Sequence, residues 1–155
     1  MRSRPRTTSR RDARYNAIPL PAAPNLDATV TYVATRSPIS DPYARFQQAE
    51  RMKREGMIEN NRIYFNPWET TYEGNPQQIL ERREAVSLVP LLGALDDNVL
   101  PAVQEKFAAT YRAAGGMYEL TVFEGSKHEW VAKPGSQTDS AREMVKAFIA
   151  RQLKA

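Results

Sequence analysis

Ala28 to Thr35 (A-T-V-T-Y-V-A-T) is a run dense in β-branched residues, and it reads as a strand. Asn16 to Asp27, punctuated by three prolines, reads as the extended loop leading into it. Downstream the period lengthens. Tyr43, Phe46, Ala49 and Met52 recur every three residues, an apolar stripe on a helix. Ser40-Asp41-Pro42 opens that helix, with Ser40 able to cap and Pro42 where a first turn has no use for an N–H. Gly56 is expected to end it. Met57 to Thr71 shows no clear period and reads as irregular, with Tyr64, Phe65 and Trp68 gathered around Pro67. Asn75-Pro76 starts another helix, reaching about Glu84, and the short apolar run Val86 to Leu92 suits a buried parallel strand.

A further helix runs from about Pro101 to Ala114, with Val103, Phe107 and Tyr111 on one face, and Gly115-Gly116 stops it. Tyr118 to Phe123 alternates like a strand. Thr138 or Asp139 caps the last helix, whose apolar face is Ala141, Met144, Val145, Phe148 and Ile149. Strands alternating with helices predict an α/β chain: about three parallel strands, right-handed crossovers and flanking helices. In such sheets the chemistry gathers in the loops at the carboxyl ends of strands, here Gly93 to Pro101 and Glu124 to Thr138.

A length of 155 residues suits one domain with a real core. The net charge of +4 suggests a nucleic-acid partner until it is located. Residues 1–14 hold six arginines against Asp12, a local +5, so the remainder is −1. Residues 1–11 therefore read as a disordered arginine-rich tail on a domain that is not basic, and nucleic acid is not an expected partner. Cysteine is absent, which excludes disulfides, thiolate metal sites and cysteine nucleophiles. No stretch is apolar enough to span a membrane, and Pro19, Pro21, Pro24 and Asp27 break what would be a signal-peptide core. The chain is expected to be cytoplasmic, unless an export signal lies upstream of Met1.

The two loops hold the residues able to do chemistry: Asp96-Asp97 in the first and His128 in the second, the chain's one histidine. Asp97 has a structural alternative, capping the following helix. Asp96, Asp97, His128 and Glu129 lack any ligand-spacing motif, so no metal and no cofactor is expected. Trp130 is expected to pack against a neighbouring helix.

These loops resemble the end of an α/β-hydrolase of the esterase, lipase and prolyl-oligopeptidase type. There a strand leads into G-x-x-D-x-x-V, a helix ends in A-G-G, and E-L-x-x-F-x-G-x-x-H follows. The matching residues are Gly93, Asp96, Val99, Ala114-Gly115-Gly116, Glu119-Leu120, Phe123, Gly125 and His128. Weaker likeness covers Asp12 to Pro21 and the cap-like entry Ser37 to Pro42. The resemblance spans about residues 12–153, and the domain it outlines is 12–155, with a cap-like segment at about 36–85.

The resemblance implies a Ser-Asp-His hydrolase in which Asp96 is the triad acid and His128 the general base, in the family's chain order of acid before histidine. Imidazole titrates near neutrality, and a carboxylate behind it fixes the tautomer and steadies the imidazolium. Tyr64, Phe65 and Trp68 fall in the cap-like segment and would line a pocket for a small ester or acyl substrate. Compared with the family, the strand before Gly93 is about three residues short, roughly 10 Å of strand. Its register must therefore shift, drawing in Val86 to Val89, for Asp96 to reach the histidine.

No G-x-S-x-G nucleophile motif occurs in the 155 residues. The chain is thus expected to be a fragment of a serine carboxylic-ester hydrolase, supplying acid and base and inactive alone. Its expected partner is a complementary N-terminal hydrolase fragment or a second copy of itself. The alternative expectation is a non-catalytic binding or dimerisation module.

Overall fold

The computed structural model describes residue 22, residues 30–82, the backbone of 91–95, and residues 100–123 and 132–154. The chain divides into two units at Val30, and Thr31–Ala155 holds every element considered below.

Among the described residues three short strands form one sheet. β1 (Val33–Arg36) pairs in parallel with β2 (Leu91–Leu95), from Val33↔Leu91 to Arg36↔Ala94. On its other side β2 pairs in parallel with β3 (Tyr118–Val122), from Leu91↔Tyr118 to Leu95↔Val122. These pairings set the strand limits. β1 starts at Val33, five residues later than the β-branched run suggests, because β2 offers its first partner at Leu91. β2 in turn continues through Gly93 and Ala94 to Leu95, three residues beyond the expected end of the apolar run at Leu92. Gly93 is therefore a strand residue rather than the start of a loop. Val86 to Val89 lie outside the described residues.

Four helices lie between β1 and β2 among the described residues. α1 (Pro42–Arg51) is capped by Asp41, whose carboxylate accepts the Ala44 N–H at 3.0 Å, so Asp41 does the job expected of Ser40. Phe46 and Ala49 of the predicted stripe are buried, whereas Tyr43 and Met52 at its ends are exposed. Gly56 does not end this helix. Lys53 takes the left-handed turn, at φ 52°, and the chain re-enters a helix at once. That helix, α2 (Glu55–Tyr64), occupies a stretch that reads as irregular. Its inner face is Met57, Asn61 and Phe65, with a buried asparagine where an apolar residue would have revealed the period. α3 (Thr70–Glu73) is a single turn, its threonine hydroxyls donating to the Pro67 and Trp68 carbonyls. α4 (Pro76–Glu81) is capped by Asn75 as its sequence suggests, but stops at Glu81 rather than Glu84.

α5 (Pro101–Ala113) carries the core across to β3. Phe107, Ala108 and Tyr111 pack with Leu80 and Tyr118, and Leu120 lies against them. Phe107, Tyr111 and Tyr118 form a triangle with ring centroids 5.7–5.9 Å apart, the Phe107–Tyr118 pair edge to face at 85°. The N-cap of α5 is Leu100, so the capping role considered for Asp97 goes to a residue whose side chain makes no cap bond. Buried amides tie α5 to its neighbours: Gln77 donates to Thr110 Oγ1 at 3.0 Å, and Gln104 donates to the Pro38 carbonyl at 2.6 Å.

α6 (Ser136–Gln152) begins before both of its expected caps. Gly135 is the N-cap, and Thr138 instead donates its hydroxyl back to the Lys133 carbonyl at 2.7 Å. Its expected apolar face is the observed one, with Ala141 and Phe148 buried and Met144, Val145 and Ile149 half-buried. Among the described residues no helix is long and apolar enough to cross a membrane.

Candidate functional site

Parallel pairing sends β2 and β3 out of the sheet on the same side, with Leu95 and Val122 as the last register partners. Asp96 is the next residue after Leu95, and His128 follows Val122 by six positions. Asp96, Asp97, His128, Glu129 and Trp130 all lie outside the described residues. Among those described, no group of three acidic, histidine or cysteine side chains could hold a metal ion.

A cleft of about 620 Å³ opens where the segment after β1 meets α1 and α2. Ile39, Pro42, Met57, Tyr64 and Phe65 supply its apolar wall, and Asn60 and Asn61 its neutral polar part. Two of the three aromatic residues singled out in the sequence thus share this cleft. They do so differently: Phe65 is 9% exposed and forms a fixed wall, whereas Tyr64 is 81% exposed at the rim. Their rings meet edge to face at 4.8 Å. Trp68 stands behind, against Phe46 at 4.4 Å and edge-on to Phe65 at 6.1 Å, and holds the wall without lining the cleft.

The charged residue of the lining is Arg45, on α1. It lies three residues from buried Pro42 and four from buried Ala49, on the inward side of the helix. Burial pushes its guanidinium below the usual arginine value. Its Nε is enclosed and has no hydrogen-bond partner among the described residues. Arg45 also borders a second cavity of about 20 Å³, shared with Ser40, Asp41 and Gln104, which is the size one water fills. Sequence reasoning passed over Arg45. Its signal was there to read: a cation at a position that the spacing of Pro42, Phe46 and Ala49 turns inward. Asn61, held by a bond from Nδ2 to the Met57 carbonyl at 2.7 Å, left no comparable signal.

The sequence profile of the prolyl oligopeptidase family matches residues 11–155, nearly the whole chain. The chain belongs to the prolyl oligopeptidase family. No curated protein and no solved structure matches it. Membership brings the α/β-hydrolase fold and the serine-hydrolase type of chemistry, and the mixed helix-and-strand architecture described above is of that kind.

Proposed function

We propose that this chain supplies the acid and the base of a serine hydrolase acting on small carboxylic esters, with Asp96 as acid and His128 as base. Family membership supports the reaction type. The observation that carries the residue assignment is the register at the sheet's carboxyl edge, where β2 and β3 end as partners at Leu95 and Val122. One segment leaving that edge begins with Asp96 and the other contains His128, the pair of residue types that proton transfer to and from a serine hydroxyl requires. In this reading β1 to β3 are the carboxyl-terminal strands of the hydrolase sheet, residues 12–155 are its domain portion and about 36–85 its cap. The nucleophile and oxyanion donors come from sequence outside these residues, since no G-x-S-x-G occurs within them. The cleft walled by Tyr64 and Phe65, and backed by Trp68, receives the acyl part.

The imidazole takes the proton from the incoming serine hydroxyl and returns it to the leaving alcohol. The carboxylate keeps the ring in the tautomer that can do so. The test is to mix the purified chain with the complementary polypeptide that bears G-x-S-x-G and to follow hydrolysis of a p-nitrophenyl ester. Turnover is expected from the mixture, absent from either polypeptide alone, and lost in His128→Ala. A mixture without turnover, or a His128→Ala chain that works as well as the original, defeats the reading.

A second reading, a binding or dimerisation module, draws on the sheet edge. β1 has β2 on one side and no other strand partner among the described residues. Such an edge offers backbone groups to another chain, whether a second copy or a complementary hydrolase polypeptide. Sedimentation that finds a strict monomer at all concentrations removes the second-copy form.

A further inference from the structure

We infer that Arg45 makes the cleft a binding site for apolar monocarboxylates, the guanidinium taking the carboxylate and Ile39, Met57 and Phe65 the hydrocarbon. A charge turned toward the buried side of a helix is costly unless something opposite meets it. Among the described residues the guanidinium makes no ion pair and its Nε no hydrogen bond, and the carboxylate that shares its small second cavity, Asp41, is taken up by the Ala44 N–H and Asn75. The cleft it borders, at about 620 Å³, is of small-ligand size. Arg45 is the one charged residue among the described lining, and no carboxylate competes for it there.

That balance selects the ligand. One planar guanidinium matches one carboxylate through two parallel N–H···O bonds. A phosphate dianion would keep a surplus charge against apolar walls, a dicarboxylate would bury its second anion without a partner, and a neutral ligand would leave the arginine unmatched. An alkyl or aryl chain ending in a single carboxylate satisfies both the wall and the cation. That such a group is part of the hydrolase's substrate or product rests on the reading of the cleft given above; its binding does not.

Calorimetric titration of the full chain with octanoate and with octanamide tests this without any catalytic step, so failure of the acid–base assignment leaves it untouched. Octanoate is expected to bind at least about tenfold more tightly than octanamide. Arg45→Met should remove that preference and Arg45→Lys should keep part of it. Should Arg45→Met fail to fold, Ile39→Asp serves instead. Ile39 is 46% exposed and tolerates a polar side chain, and a carboxylate there would occupy the cation and weaken octanoate by about tenfold. Equal affinity for the two ligands, no binding of either, or octanoate binding unchanged in a folded Arg45→Met chain overturns the inference.

Discussion

Asn75 donates from its Nδ2 to the Asp41 carboxylate at 2.9 Å, joining the N-caps of two helices 34 residues apart in the chain. Each residue also caps its own helix: Asp41 accepts the Ala44 N–H at 3.0 Å, and Asn75 accepts the Gln78 N–H at 3.2 Å. The Gln77 N–H donates to the Ser40 carbonyl at 2.9 Å and closes the junction from the backbone side. Pro42 and Pro76, one on each helix, both line the cleft, so its mouth depends on this clasp.

Removing the clasp should therefore cost more than removing one cap. Asn75 is fully buried, and Asn75→Ala deletes the α4 cap and one partner of the Asp41 carboxylate. A cap is worth about 1 kcal/mol and the lost hydrogen bond to Asp41 about another 1, so a loss of about 2 kcal/mol is expected. Urea unfolding of Asn75→Ala, Asp41→Ala and the double variant checks it. The double variant should be milder than the sum of the singles, because both singles break the same bond. Strict additivity would mean that the two caps act separately.

The turn after α5 gives a sharper contrast. Gly115 sits at φ 93°, where a side chain is strained, but a Cβ there would meet nothing. A Cβ on Gly116 would come within 2.2 Å of the Tyr111 ring, and that ring is packed into the core. Gly115→Ala should thus cost about 1 kcal/mol from backbone strain. Gly116→Ala should cost more, about 2–3 kcal/mol, since a core ring must move. Thermal unfolding of the two variants side by side ranks them; the reverse order would mean that Tyr111 yields easily.

Phe148 carries α6. Among the described residues it is the largest apolar side chain with no exposure, and its ring meets Tyr32 edge to face at 6.0 Å. Phe148→Ala should cost about 3–5 kcal/mol, the usual loss for a buried aromatic truncated to alanine. Denaturant unfolding followed by circular dichroism measures it. Phe148→Leu should recover much of the loss, and a truncation costing under about 1 kcal/mol would show that α6 is held by other contacts.

The sequence was most legible where a local chemical signal was strong. Pro42 and Pro76 marked helix starts, Gly115 marked a stop, and Phe107 with Tyr111 marked an inner face. Reading failed where a long-range partner decided the outcome. β1 starts at Val33 because of where β2 begins, and Gly93 joins a strand because of its partners Thr35 and Leu120. α2 escaped notice since Asn61 breaks its apolar period, and Gly56 misled because Lys53 took the left-handed turn in its stead. For the site, motif order nominates Asp96 and His128, which lie outside the described residues, whereas the inward spacing of Arg45 gained its meaning once that helix face proved to border a cleft.

Tyr118 links the core to alkaline stability. Its phenol pKa is pushed up to about 12, mainly because burial disfavours the phenolate, with the Arg112 guanidinium pulling modestly the other way. An unfolded tyrosine titrates near 10. The folded state therefore holds the phenolic proton more tightly than the unfolded state. The resulting stabilisation is full below about pH 10 and is lost as pH rises through about 12. Tyr118→Phe cannot ionise, so its stability should fall less steeply than that of the original chain across that interval. At neutral pH the same substitution should be harmless or stabilise by up to about 1 kcal/mol, since the buried hydroxyl has no hydrogen-bond partner among the described residues. Urea unfolding at neutral and alkaline pH, with phenolate absorbance recorded alongside, separates the two effects. A Tyr118→Phe chain that loses alkaline stability in parallel with the original would assign the effect to other groups, and one destabilised at neutral pH would show that the hydroxyl is bonded after all.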